Sequence, residues 1–161
     1  MDSDSDRETS MQYFSDDWFR SEWQKLGFHY ELNHEAKRWE ITGSLKGLKA
    51  FSLAIRTYAT DSDNDWVSCH CNLGPYDYLE IGTWNVPVID DHWIAGPLES
   101  LLGLADTIDA WLEGAQPEMA LLAGAAFASG SPYDLQLNLM DPQFDPASCD
   151  DSLAKPDGEL R

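Results

Sequence analysis

The most informative absence is that of lysine and arginine from a long central stretch. Residues 57–154 contain neither residue type but hold 17 Asp and Glu, whereas residues 1–56 contain 10 acids and 8 bases. Almost all of the net charge of −19 therefore lies on the central stretch. A field of this sign repels nucleic-acid phosphates and anionic membranes, so we expect binding to neither.

Long apolar runs and cysteines are also scarce. No run of 18 apolar residues occurs, and the N-terminus MDSDSDRETS has neither the basic nor the apolar segment of a secretory signal. Three cysteines are too few, and odd in number, for a disulfide framework. We therefore expect a cytoplasmic protein with no membrane segment.

Common catalytic motifs are missing too. The sequence has no GxSxG, HExxH, Walker loop or GxGxxG. We therefore expect a protein that is not an enzyme, with no catalytic residues and no cofactor.

Apolar and aromatic residues are plentiful enough for one folded domain. Hydrophobic residues make up 43% of the 161 residues, and aromatic residues make up 12%. The composition predicts a disordered acidic tail over 1–13, a single α+β domain over 14–140 and a loose acidic C-terminal tail over 141–161.

Apolar periodicity and capping residues predict the elements of that domain. We expect a mostly antiparallel sheet with helices packed on one face. The run MALLAGAAFA predicts a further helix, and Pro87 makes NVPVIDD a loop or an edge segment. The main predicted helices are 16–26, 44–58 and 97–114, and the main predicted strands are 28–33, 38–42, 66–73, 78–84 and 133–140.

One pattern occurs twice, at an offset of 53 residues. Ile41, Gly43, Leu45 and Leu48 are matched by Ile94, Gly96, Leu98 and Leu101, in each case where a strand leads into a helix. A strand with Asn-Leu follows each copy, at 72–73 and at 138–139. The pattern fits either the common chemistry of strand–Gly–helix junctions or a duplicated strand–helix–strand unit.

Two segments resemble metal sites but are better explained otherwise. In Cys69-His70-Cys71, a strand would point the thiols to one face and His70 to the other, which favours core cysteines and no metal. Asp61, Asp63 and Asp65 resemble the start of an EF-hand loop, but Trp66 and Asn72 stand where that loop needs Gly and Glu. We expect a solvated acidic turn there.

Histidines and tryptophans supply the remaining candidates. His92 follows Asp90 and Asp91, which could orient it as a base, while His29, His34 and His70 are expected to be exposed to water. Trp84 and Trp93 border loops and are candidate exposed anchors. If helices cover one sheet face, the other would carry polar residues with one aromatic: Trp66, Ser68, His70, Asn72, Glu80, Gln136 and Asn138.

The stretch RWEITGSLKGLKAFSLAI and the following CHCNLGPYDYLEI, over residues 38–82, resemble the immunity proteins of bacterial polymorphic-toxin systems. The resemblance implies a small cytosolic protein that binds a cognate toxin tightly and has no catalytic residues. The acidic stretch is consistent with such a partner, because nucleic-acid-directed toxins present basic clefts.

The leading hypothesis is a non-enzymatic acidic binding protein, an immunity protein or inhibitor that neutralises a cationic toxin or effector. Two alternatives remain: a small enzyme using His92 or His70 with nearby carboxylates, and a structural subunit of a homo-oligomer. The acidity could also serve solubility alone. The predicted partner-binding residues are Asp61, Asp63, Asp65, Asp77, Asp90, Asp91, Trp84 and Trp93.

Overall fold

The computed structural model describes residues 15–153, in which helices separate groups of one to four consecutive strands. The helices are α1 (Asp16–Leu26), α2 (Leu45–Thr60), α3 (Leu98–Leu112) and α4 (Gly124–Phe127). The strands are β1 (Phe28–Asn33), β2 (Arg38–Gly43), β3 (His70–Leu73), β4 (Leu79–Thr83), β5 (Val88–Ile89), β6 (Trp93–Gly96), β7 (Ala120–Leu122) and β8 (Asp134–Leu139). Short 3₁₀ helices cover Ser62–Asn64 and Pro146–Cys149.

The predicted α+β class is confirmed, but the strands form two sheets rather than one. Sheet A has the order β1-β2-β8-β7 and sheet B the order β3-β4-β6-β5. In each sheet the two central strands are parallel and the outer pairs are antiparallel. Alternation within a strand shows which face is buried but not which strands are neighbours, so it could not separate the sheets.

The connectivity repeats once along the chain. A hairpin, a helix and a second hairpin (β1-β2-α2-β3-β4) are followed by the same series (β5-β6-α3-β7-β8). Each sheet pairs the first hairpin of one series with the second hairpin of the other. Along the chain, α2 follows a strand of sheet A and precedes a strand of sheet B, whereas α3 follows a strand of sheet B and precedes a strand of sheet A.

This repeat supports the duplicated unit, although the unit is larger than the predicted strand–helix–strand. The two Asn-Leu pairs do not occupy corresponding strands, because one lies in β3 and the other in β8. By connectivity, the counterpart of β3 is β7.

Helices α2 and α3 pack against each other through corresponding residues. The buried Ser52 hydroxyl donates to the Ala105 carbonyl at 3.2 Å, and these residues are 53 apart. Arg56 reaches Asp109 at the same offset, with a 2.8 Å nitrogen–oxygen distance, and reaches Asp106 at 2.8 Å. The residue numbers of the contacting pairs increase together along both helices, as expected when two helices lie side by side and run in the same direction.

One hydrophobic core joins the helices and both sheets. Helix α2 packs on sheet A and α3 on β6 of sheet B. Leu48 and Ile55 of α2, Leu101 and Ile108 of α3, and Ile81 of β4 are fully buried. Leu45, at the first position of α2, is 42% exposed.

Two further segments differ from prediction, and the residues after Pro87 form the predicted edge segment. The region around 120–127 forms β7 and the short α4 instead of one helix, because backbone pairing with β8 takes residues 120–122 into sheet A. Strand β3 begins at His70 rather than 66, after Ser68 adopts a left-handed φ of 77°. Residues 88–89 form the edge strand β5.

The segment after β8 packs on the N-terminal helix rather than forming a loose tail. Asp150 accepts hydrogen bonds from Trp23 Nε1 and the Tyr76 hydroxyl, both at 2.8 Å, and from the Ser152 hydroxyl at 2.6 Å. Burial alone would raise the pKa of Asp150, but the bonds from Ser152, Trp23 and Tyr76 outweigh it and lower the pKa. The predicted tail over 1–13 and residues 154–161 lie outside the described residues.

His29 is buried, contrary to the prediction that it faces water. It is 7% exposed and packs against Trp23, with 4.5 Å between ring centroids and the rings tilted by 40°. Burial lowers its pKa, with partial opposition from Asp150 and Asp151. The strand period placed His29 on the outer face of β1 correctly, but α1 covers that part of the face.

No helix within residues 15–153 has the length and apolarity needed to cross a lipid bilayer.

A close contact between the backbones of α1 and α2 generates the first prediction. A Cβ at Gly47 would overlap the carbonyl oxygen of Gly27, the left-handed residue that ends α1. We expect Gly47→Ala to lower the free energy of unfolding by about 1–3 kcal/mol, the usual cost of overpacking. Gly103, in the interior of α3, has nothing within 4 Å of its Cβ position.

The matched Gly103→Ala variant should therefore leave stability unchanged or raise it by up to about 1 kcal/mol, since Ala has the higher helix propensity. Urea denaturation of both variants and the wild type measures the difference. Equal free energies of unfolding for the two variants would contradict the close contact.

Candidate functional site

The outer face of sheet B carries the chemically active side chains of the central stretch. His70 and Asn72 of β3, Glu80 of β4 and Trp93 of β6 point outward, in register, with Asn72 opposite Glu80 and Glu80 opposite Trp93. The inward positions of the same strands hold core residues such as Ile81 and Ile94. We call these outward side chains, with the adjoining turns 61–66, 74–78, 84–87 and 90–92, the sheet B face.

Tryptophan side chains form the apolar part of this face. A Cβ at Gly82 would overlap the ring of Trp93, so the glycine lets the indole lie flat over β4. The rings of Trp93 and Trp84 lie 5.6 Å apart. Trp84 is 37% exposed and Trp66, beyond the start of β3, is 60% exposed. The predicted anchors are therefore neighbours, and the exposed Trp84 and Trp66 both lie at the end of sheet B where β4 finishes and β3 begins.

The six predicted acids fall into two groups at opposite ends of sheet B. Residues 61–65 precede β3, at the end where β4 and β6 finish. Asp77, Asp90 and Asp91 precede β4 and β6, at the other end. A five-residue strand separates the groups by about 16 Å. The carboxylates therefore lie at both ends of sheet B rather than forming one cluster.

Two of these acids also stabilise the turns on which they lie. Asp61 Oδ1 accepts from the backbone N–H of Asp63 at 2.9 Å, and Asp90 Oδ1 accepts from the N–H groups of His92 and Trp93 at 2.9 and 3.1 Å. Asp63, Asp65, Asp77 and Asp91 are exposed. These four exposed carboxylates therefore carry most of the charge that a partner could contact.

A buried carboxylate joins the two histidines of the face. Glu80 is 9% exposed; its Oε1 lies 3.3 Å from His70 Nε2 and its Oε2 lies 2.7 Å from His92 Nε2. In place of the hypothesis that Asp90 or Asp91 orients the His92 ring, the structure shows His92 Nε2 in contact with Glu80. The sequence shows that His70 and Glu80 face outward, but only the register of β3, β4 and β6 brings these three side chains together.

Gln136 and Asn138 do not belong to this face. They lie on β8 of sheet A, where Gln136 Nε2 donates to Asn138 Oδ1 at 2.7 Å and Asn138 donates to the Thr42 hydroxyl at 3.2 Å. Ser68 lies in the turn before β3 and accepts at its carbonyl from His70 Nδ1 at 3.1 Å. The expected single polar face is therefore divided between two sheets.

Charge differs between the two sheets. All four strands of sheet B and the turns of its face fall within 57–154, so the sheet B face holds carboxylates and histidines and no Lys or Arg. The outer face of sheet A contains an Arg38–Glu40 pair at 3.1 Å. Beside helix α3, Arg56 pairs with both Asp106 and Asp109 at 2.8 Å.

The segments that resemble metal sites have other roles. Asn64, inside the acidic turn, donates to the Tyr58 carbonyl at 2.8 Å and accepts from the Cys69 thiol at 3.3 Å. Cys69 is buried, and burial raises the pKa of the half-buried Cys71. Among residues 15–153, no group of three or more His, Cys, Asp or Glu is arranged to hold a metal ion.

Five cavities of about 270–620 Å³ lie on the described surface, and none of them is lined by His70, Glu80 or His92. The largest of the five lies between α1, the start of α2 and the C-terminal segment. The side chains of His70 and His92 are 47% and 67% exposed.

Comparisons of the chain with models of protein families, with curated proteins and with solved structures find no match.

The cysteines generate the second prediction. Because Cys69 is engaged with Asn64 and Cys71 points into the core, we expect purified protein to retain less than about 0.1 equivalent of zinc after dialysis without chelator. Elemental analysis measures the content, with a Cys69→Ser/Cys71→Ser variant as the control. One tightly held zinc per chain, lost in that variant, would contradict the interpretation.

Proposed function

We propose that this protein is a non-enzymatic binding protein that recognises a cationic protein surface through the sheet B face. The observation that carries the proposal is the combination found there: exposed carboxylates at both ends, exposed indole surface on Trp66 and Trp84, and no Lys or Arg on the face.

This combination suits Arg- and Lys-bearing partners for two reasons. Carboxylates form charge-assisted hydrogen bonds with guanidinium and ammonium groups. Indole faces attract the same cations, with Trp the strongest of the aromatic side chains in this respect. Separation of the two acidic groups by about 16 Å also favours an extended basic surface over a single small cation.

The proposal extends to the kind of partner. A protein that neutralises a cationic toxin needs rapid capture, and a field of one sign increases association rates at low ionic strength. The resemblance of residues 38–82 to immunity proteins supports a toxin or effector as the partner. A second copy of this chain is a poorer partner for the same face, because it would place carboxylates against carboxylates.

The proposal predicts measurable binding of a synthetic nine-arginine peptide. We expect binding to weaken between about 50 mM and 300 mM salt, because exposed charges are screened beyond roughly 8 Å at physiological ionic strength. The Asp63→Asn/Asp91→Asn variant removes one exposed acid from each end and should weaken binding about three- to tenfold. Trp84→Ala should weaken it by about tenfold through loss of the aromatic contact.

The control variant Glu118→Gln/Asp141→Asn removes two exposed acids near the end of β8 in sheet A, so that the net charge changes equally. Isothermal titration calorimetry measures each dissociation constant, and circular dichroism verifies folding. Equal weakening by the test and control variants would show that the peptide responds only to total charge, and the acidity would then serve solubility alone. A folded Trp84→Ala variant with wild-type affinity would remove the proposed anchor.

A further inference from the structure

We propose that His70, Glu80 and His92 form a proton-binding site that sets the charge, and with it the partner affinity, of the sheet B face. This inference deepens the proposed function by assigning a regulation to the same surface. It rests on that function only for its effect on binding, since the proton site itself can be measured in the free protein.

The surroundings of His70 favour a proton beyond that of a neutral ring. His70 Nδ1 lies 3.1 Å from the Ser68 carbonyl oxygen, which can only accept, so Nδ1 must carry a hydrogen. A neutral imidazole has one N–H, and Nε2 would then direct its lone pair at Glu80 Oε1, 3.3 Å away. Both contacts are favourable only if a second proton lies on His70 Nε2 or on Glu80.

A second positive charge would stabilise the other carboxylate oxygen of Glu80, Oε2. Oε2 is fully buried and accepts no hydrogen bond, although His92 Nε2 lies 2.7 Å away, because the approach does not suit a ring N–H donor. A buried carboxylate oxygen without a donor is costly, so a charged imidazole beside it is favoured. The side chains of His70 and His92 are 47% and 67% exposed, which leaves both rings open to exchange protons with water.

The neighbouring charges all have one sign. From the turn before β6, Asp90 and Asp91 flank His92, and Asp77 lies in the turn before β4, where its carbonyl accepts from Asn72. From β3 the only titratable outward group is His70, and from β4 it is Glu80. No Lys or Arg occurs on these elements, so protonation of the two histidines is the available means of changing the charge of the face.

Proton uptake changes the charge of the three side chains from −1, with both rings neutral, to +1, with both rings protonated. Histidine is the side chain whose charge changes between about pH 5 and 8. A cationic partner is attracted at the upper end of this range and less strongly at the lower end. We expect wild-type affinity for the nine-arginine peptide to be about five- to tenfold weaker at pH 5.5 than at pH 7.5.

The first experiment follows the imidazole Cε1–H signals by NMR over the same pH range, in the free protein. In Glu80→Gln, the His70 and His92 signals should change at lower pH than in the wild type, because the carboxylate that stabilises their charged forms is gone. His34, exposed in the β1–β2 turn and contacting Tyr133, is the internal control and should not move. Unchanged His70 and His92 titrations in a folded Glu80→Gln variant would overturn the proton site.

The second experiment measures peptide affinity at both pH values for the wild type and for a His70→Gln/His92→Gln variant. The variant should lose less than about twofold between pH 7.5 and pH 5.5. Equal losses in the two proteins would show that the site does not regulate binding. Absence of peptide binding by the wild type at pH 7.5 would contradict the proposed function while leaving the NMR result on the proton site intact.

Discussion

The packing of α2 against α3 is the contact on which the rest of the structure depends. Each helix connects the two sheets, so the position of one sheet relative to the other is set by how these helices meet. Leu48, Ile55, Leu101 and Ile108 are fully buried around this contact, and burial of such a side chain contributes about 1.5–3 kcal/mol relative to exposure. The Ser52 hydroxyl satisfies its hydrogen-bonding need within the contact.

This arrangement leaves the outer face of sheet B uncovered by the helices. Because α3 packs on the inner side of β6, the outward residues of β3, β4 and β6 are available to a partner. Sheet A differs, since α1 and Trp23 cover His29 on its outer side. A fold with two similar halves therefore presents two dissimilar surfaces, and the one without Lys or Arg also holds the Trp84–Trp93 pair and the His70–Glu80–His92 cluster.

Local patterns predicted the elements well and their assembly less well. Ser15, Gly27 and the alternation after Phe28 define α1 and β1 to the residue, because capping and side-chain period are local properties. The offset of 53 residues was visible in Ile41 and Ile94, but the exchange of hairpins between sheets was not, because it depends on long-range pairing.

For the candidate site as well, individual residues were predicted better than the way in which they assemble. The aspartates and Trp84 were identified from composition and loop position. The partnership of Glu80 with two histidines was missed because His70 of β3, Glu80 of β4 and His92 of the turn before β6 meet only through the register of the sheet. A sequence signal was nevertheless present: one outward carboxylate between otherwise apolar positions of YLEIGTW requires a partner if the strand is central in its sheet.

The most direct measurement of the central claim is the NMR footprint of the nine-arginine peptide on the backbone amides and tryptophan indoles. The account predicts shift changes concentrated on the outward residues of β3, β4 and β6, the indoles of Trp84 and Trp93, and the turns around Asp63 and Asp91. Changes distributed evenly over all acidic segments, or concentrated on sheet A, would contradict it.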